Sequence, residues 1–180
     1  MRKKLRRWET AGAAFVCVMG TLLHFAYDWS GKSGAVALFA AVNESTWEHM
    51  KILFVPYFCF TMVEFSALYR ALDNFFAVKA VCALLGVLLI PALHYVVSGV
   101  FGAAPAWWNI AVFYLSAALT YALSYRALLA GALRRRWMQA AGLAAMGTLL
   151  GLFFYCTLCP PHLPVFRDPR SGRFGVGGMC

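Results

Sequence analysis

The reactive side chains of this sequence are concentrated in one short run. From Val42 to Lys51, five of ten residues (Asn43, Glu44, Glu48, His49 and Lys51) are strongly polar or ionisable, in a chain that is 62% hydrophobic. Charged groups at the mouth of an apolar helix are costly to place there and mark functional positions. Imidazole and carboxylate are the ligands of zinc and related divalent ions. His24, Glu44, His49 and His94 are therefore the candidate metal ligands. Without a metal the same groups serve as general acid and base, which makes Glu44, Glu48, His49 and Lys51 the candidate catalytic residues. Asn43, Tyr27, Asp28, Trp47, His162 and Asp168 are the candidate binding residues. His24, Tyr27 and Asp28 fall at i, i+3 and i+4, on one helical face. Asn43 and Glu48 hold the turn, and His162 or Asp168 folds over it as a lid. No H-E-x-x-H is present, and Ser45 stands where an H-x-x-E-H would need its first histidine.

Several of these residues also have a purely structural reading. Ser45-Thr46-Trp47-Glu48 matches a capping box, with Ser45 as N-cap and Glu48 at the third helical position. Lys51 can snorkel to a membrane interface. Trp47 fits, with Trp107 and Trp108, an interfacial aromatic belt. His24 can hydrogen-bond a neighbouring helix without binding a ligand.

The elements that position these residues are membrane helices. The chain has 180 residues, 13% of them charged, and a mean hydropathy of +0.69. A soluble domain of that size could not cover so much apolar surface. Five stretches can span about 30 Å of hydrocarbon, at about 10–29, 50–71, 75–99, 107–130 and 137–159. The fold class is an all-α polytopic bundle, a single integral membrane domain of five spans with an outer tail over 160–180. Ala35 to Val42 is too short to span and reads as a re-entrant or interfacial segment after the first helix. The basic N-terminus resembles a signal peptide, but no small-x-small site follows it, so the first span reads as a retained anchor.

Lysines and arginines set the orientation. An inside N-terminus puts Arg2, Lys3, Lys4, Arg6, Arg7, Arg70, Lys79, Arg126, Arg134, Arg135 and Arg136 on the cytoplasmic side. Lys32, Lys51, Arg167, Arg170 and Arg173 then lie outside, together with all four histidines. The net charge of +9 reads as topology and contact with anionic membrane lipids. A nucleic-acid surface is excluded, because no soluble basic face exists.

The second span contains Pro56, which frees the backbone carbonyl near Ile52 and kinks the helix. Pro91 does the same at similar depth in the third. Tyr114, Tyr121 and Tyr125 share one face of the fourth, and Gly147-x-x-x-Gly151 in the fifth is a close-packing pattern. Glu64 lies about 20 Å deeper than Met50 and is expected to pair with Lys79 or Arg126. Cys156-x-x-Cys159 resembles the thiol pair of membrane oxidoreductases, but such proteins relay through a second pair, and only the terminal Cys180 is on offer here. No internal repeat supports an inverted-repeat transporter.

Over nearly its whole length the chain resembles an uncharacterised family of small bacterial integral membrane proteins, a domain of unknown function. Three stretches carry the resemblance. They are Leu23-His24-Phe25-Ala26-Tyr27-Asp28-Trp29-Ser30; Val42-Asn43-Glu44-Ser45-Thr46-Trp47-Glu48-His49-Met50-Lys51, with Pro56 following; and Pro161 to Gly175, which holds Phe166, Asp168, Pro169 and Gly172. The resemblance implies a membrane protein with an outward-facing site and carries no catalytic role with it. Three functions are consistent with these residues. The first is a membrane enzyme, metal-dependent or acid–base, acting on a lipid-like substrate at an outward His/Glu pocket in the bacterial inner membrane. The second is a transporter or binding protein for a small molecule. The third is a structural or accessory subunit.

Overall fold

The structure, a computed structural model, describes residues 1–68, 71–102 and 104–176. Arg70 and Cys180 lie outside the described residues. Five helices are long and apolar enough to cross a membrane: α1 (Arg2–Trp29), α3 (Thr46–Leu68), α4 (Phe75–Phe101), α5 (Ala106–Ala130) and α6 (Arg136–Leu158). A single turn, α2 (Gly34–Ala37), separates α1 from α3, and a 3-10 turn (Pro164–Phe166) follows α6. The outer surfaces carry Leu84, Leu85, Leu88, Val96, Ile110, Leu119 and Leu152, all exposed, as expected where lipid is the solvent. By length and composition these are the helices of a multi-pass membrane protein.

α3 is the central helix. Met50 to Tyr57 are buried without interruption, and the helix packs against α1, α4 and α6. Pro56 removes the partner of the Ile52 carbonyl, and α1 approaches there through Gly20. A Cβ on Gly20 would stand 2.9 Å from the Ile52 oxygen and 2.3 Å from the Phe113 ring, so only glycine lets the two helices meet at that point.

The helix ends sort into two groups. At one end Lys4 Nζ donates to the Ala67 carbonyl (2.9 Å) and Asn74 Nδ2 to that of Ala127 (3.3 Å). The Gln139 side chain accepts from the Ala77 amide (3.1 Å). This end carries Arg2, Lys3, Lys4, Arg6, Arg7 and Arg134–Arg136 and is called the basic end here. The opposite end carries the Asn43–Lys51 run and the folded tail.

Several expectations are corrected. α1 starts eight residues before the expected 10, because charged first turns are stable where they meet water and headgroups. Residues 35–42 form a short segment between α1 and α3, too short to span, as expected. The chain turns once in α2 and lies back over α1, with the Ala41 amide donating to the Leu23 carbonyl (3.1 Å) and Tyr27 buried beneath Ala37 and Ala40. Lys51 does not snorkel and is fully buried. Trp47 is no belt residue: it packs 4.6 Å from both Phe153 and Phe166. Trp107 does stand exposed. Gly147 and Gly151 face open space, and the close glycine contact of α6 is at Gly142, against the backbone of Phe76 and Ala77. Tyr121 is buried while Tyr114 is exposed, which divides the expected tyrosine face. Glu64 does meet Lys79 (2.6 Å), together with Glu9 of α1 (3.0 Å). Lys79 is therefore buried in an ion cluster and does not count among the charges on a membrane surface. Cys156 is a free buried thiol, whereas Cys159 is held in a disulfide.

Candidate functional site

The turn before α3 is built by its own side chains. Asn43 Oδ1 accepts the Ser45 amide (2.9 Å), and Ser45 Oγ accepts the Glu48 amide (3.4 Å) as the N-cap of α3. Glu48 does not close the capping box. Its Oε2 accepts the Val42 amide (3.0 Å) and pairs with Lys51 at 2.6 Å. Lys51 Nζ also donates to the Ala37 carbonyl and to Thr157 Oγ1, both at 2.8 Å. Every hydrogen on that ammonium has an acceptor. Glu48 and Lys51 thus tie α2, α3 and α6 together and reach no cavity.

Glu44 and His49 point the other way. Donor atoms of His24, Glu44 and His49 all lie within 4.8 Å of one another. His24 Nε2 is 3.7 Å from Glu44 Oε1, and His49 Nε2 is 3.9 Å from Glu44 Oε2. The two imidazole rings are 5.4 Å apart. His49 Nδ1 lies 2.9 Å from the Ser45 carbonyl. Only an N–H can make that contact, so Nδ1 carries a proton and Nε2 is the nitrogen that faces Glu44. Backbone carbonyls fix metal-binding histidines in the same way. A tetrahedral ion bound at about 2.1 Å would set its ligands about 3.4 Å apart, close to the spacings seen here. His24 Nδ1 is buried with no partner.

His94 is drawn into the same region without joining the three donors. Its Nδ1 is 2.9 Å from Asn109 Oδ1, and it shares a small cleft with Glu44, Thr46, His49 and Asn109. The other expected residues are spread around the site or away from it. Asp28 is exposed and uses only its backbone. Tyr27 is buried under α2 and Trp47 in the core. His162 packs on Phe174 at 4.8 Å, outside the cavity. Asp168 does not reach the site as a lid but organises one. Its carboxylate accepts the amides of Arg170 (3.0 Å) and Ser171 (3.3 Å) and the Ser171 hydroxyl. Burial alone would raise this carboxyl, but those hydrogen bonds and the Arg170 charge outweigh it and hold it below the usual aspartate range. The resulting hairpin, bridged from Arg167 to Phe174, brings Arg170 Nη1 to 3.4 Å from Glu44 Oε1.

Two residues that line the cavity beside Glu44 were not singled out from sequence. Asn109 is a lone amide beside two tryptophans and gave no signal beyond its polarity. Arg170 was counted only as a topological charge, although Asp168-Pro169 and Ser171-Gly172 are turn dipeptides that announce a hairpin around it.

Two cavities meet at the histidines. A polar one of about 240 Å³ is lined by His24, Glu44, His49, Asn109, Pro169 and Arg170. An apolar one of about 250 Å³ runs between α1 and α5, past Phe25, Ile52, Ile110, Phe113 and Tyr114. Both include His24, His49, Asn109 and Ile110. The combined space is polar at one end and apolar along the membrane-embedded helices.

A family model described as a family of unknown function (DUF6512) matches residues 1–176. No curated protein and no solved structure matches the chain.

Proposed function

We propose that this chain, which belongs to the family of unknown function DUF6512, is a membrane enzyme that uses a divalent metal at His24, Glu44 and His49 on a lipid-like substrate. The observation that supports this reading is the convergence of two imidazoles and one carboxylate, without a hydrogen bond among them, where a polar and an apolar cavity meet. Three protein ligands leave a coordination position free, as catalytic zinc sites do. An amphiphile fits the cavity pair, with its head among Glu44, Asn109 and Arg170 and its chain between α1 and α5. His94 and Asn109 sit beside the donors as orienting groups. The basic end faces the cytoplasm by the excess of arginine and lysine, which puts the site and the C-terminus on the outer side of a bacterial inner membrane.

A metal-free acid–base role for Glu44 and His49 would use the same cavity. The transport alternative needs a polar path to Glu64. One turn past His49 and Asn109 the cavity is lined by Ile52 and Phe113, which favours a site over a path.

The test is elemental analysis of the purified chain before and after dialysis against zinc, beside a folded His49→Ala control. About one ion per wild-type chain and none in the variant is expected. Product formation from membrane lipids, followed by mass spectrometry, should then require the metal. A folded wild type that binds no divalent ion would overturn the metal, and lipid turnover unaffected by chelation would leave the acid–base form.

A further inference from the structure

A second cluster of ionisable groups lies in the basic half of the bundle, apart from the proposed metal site. Lys79 of α4 is fully buried and pairs with two carboxylates, Glu64 at 2.6 Å and Glu9 at 3.0 Å, which are themselves 0% and 3% exposed. Ser124 of α5 donates to the same Glu9 oxygen at 2.8 Å. Tyr57 of α3 spends its hydroxyl on the Lys79 carbonyl (3.0 Å). The ring of Tyr121 from α5 lies 5.0 Å from the ammonium. Cys82 of α4 and Cys17 of α1 are the remaining titratable neighbours. Among the described residues neither glutamate has another cation.

The charges do not balance. Two ionised carboxylates and one ammonium leave one negative charge buried among α1, α3, α4 and α5, and an unpaired ion buried there is strongly disfavoured. Two carboxyls that share one site do not both ionise. The hydrogen bonds point the same way. Glu9 Oε2 and Glu64 Oε1 are both buried without a hydrogen-bond partner, so each carboxyl keeps an oxygen that no donor reaches. One added proton restores neutrality and supplies a donor. A second metal ion would not suit the site, because Lys79 already occupies the space between the carboxylates.

We infer that Glu9, Glu64 and Lys79 form a membrane-buried proton-binding site in which the two carboxyls hold one proton between them at neutral pH. The proton belongs to the pair and not to either residue. Glu48 and Lys51, at the other end of α3, are the internal contrast: one carboxylate against one ammonium needs no proton.

Infrared spectroscopy of the full chain in lipid vesicles tests this, with wild type compared against Glu9→Gln, Glu64→Gln and the double change Glu48→Gln with Lys51→Met, which removes the other buried pair whole. The wild type should show the carbonyl stretch of a protonated carboxyl at neutral pH, and it should shift with carbon-13 glutamate and not with carbon-13 aspartate. Both Glu9→Gln and Glu64→Gln should lose the band, because one carboxylate then balances Lys79. The Glu48→Gln, Lys51→Met double change should keep it. Absence of the band from wild type overturns the proposal and needs no variant to fold. So does a band that survives in both folded Gln variants, or one that appears only after sodium is withdrawn.

Discussion

The run from Asn43 to Lys51 contains two carboxylates four residues apart that meet opposite conditions. Glu48 is saturated: Lys51 at 2.6 Å and the Val42 amide at 3.0 Å satisfy it, and it is 1% exposed. Glu44 faces two imidazoles at 3.7 and 3.9 Å and an arginine at 3.4 Å. None of these is a short hydrogen bond, and all open onto cavities. The saturated half is a staple that holds α2 and α6 to the start of α3. The unsaturated half is a set of donors held apart, which is what a bound ion requires. One short motif thus supplies both the site and the support that positions it.

Breaking the staple should have the largest effect. Lys51→Met leaves Glu48 buried and unpaired, and removing one partner of a buried pair costs about 3–5 kcal/mol. The variant should unfold or lose roughly 6–20 °C in a detergent melting experiment. The double change Glu48→Gln with Lys51→Met should recover much of that loss, because no bare charge remains. Equal damage from the single and the double change would show that the pair is not the staple.

The unsaturated half should respond in the opposite sense. His49→Ala removes a side chain that is 14% exposed and borders a cavity, and should leave the melting temperature within a few degrees. Metal affinity should fall by more than about 100-fold, since even outer-shell partners of a metal ligand are worth 10–100-fold. Isothermal titration with zinc measures it. A variant that loses stability and not binding would place His49 with Glu48 in the structural half.

Glycines sharpen the same distinction between filled and open faces. Gly142→Ala drives a methyl to 2.6 Å from the Phe76 carbonyl and 2.8 Å from Ala77 backbone atoms, which cannot move aside as a side chain could. Overpacking of this kind costs about 1–3 kcal/mol. Gly147→Ala meets nothing within 4 Å and should be neutral or slightly stabilising by thermal melting. If Gly147→Ala proved the more harmful, another surface would have to cover it.

These comparisons also show which parts of the molecule were legible in the sequence. The five spans were, because continuous apolar runs of membrane length have few other meanings. Their ends were less so: Arg2 to Arg7 are helical although their composition reads as a loop. The polar run was legible as a location. Its division between Glu44 and Glu48 was not, because that depends on α2 folding back and on Thr157 arriving from more than a hundred positions away. Lys51 looked like an interfacial lysine for the same reason. Glu9 gave no signal at all, since its partner Lys79 is seventy residues distant. Long-range pairing is what local pattern cannot carry.

The smallest expected effect concerns Arg170, which links the tail to the unsaturated half. Its guanidinium is largely exposed and 3.4 Å from Glu44, where such a pair is worth about 0–1 kcal/mol. It also competes with a cation for the same carboxylate. Arg170→Ala should therefore tighten zinc binding, by no more than about fivefold on that scale, and should leave the melting temperature unchanged. The hairpin that presents Arg170 depends on ionised Asp168, whose carboxyl is held below its usual range. A depressed carboxyl stabilises above its unfolded value, near 3.9, and loses that contribution only as pH falls through the lower folded value. Between pH 5 and 8 the hairpin should stay in place. The wild-type and Arg170→Ala titration curves should then run parallel from pH 5 to 8 and converge only in stronger acid. Curves that converge near neutrality would mean that the hairpin leaves Glu44 well above the range of the Asp168 carboxyl.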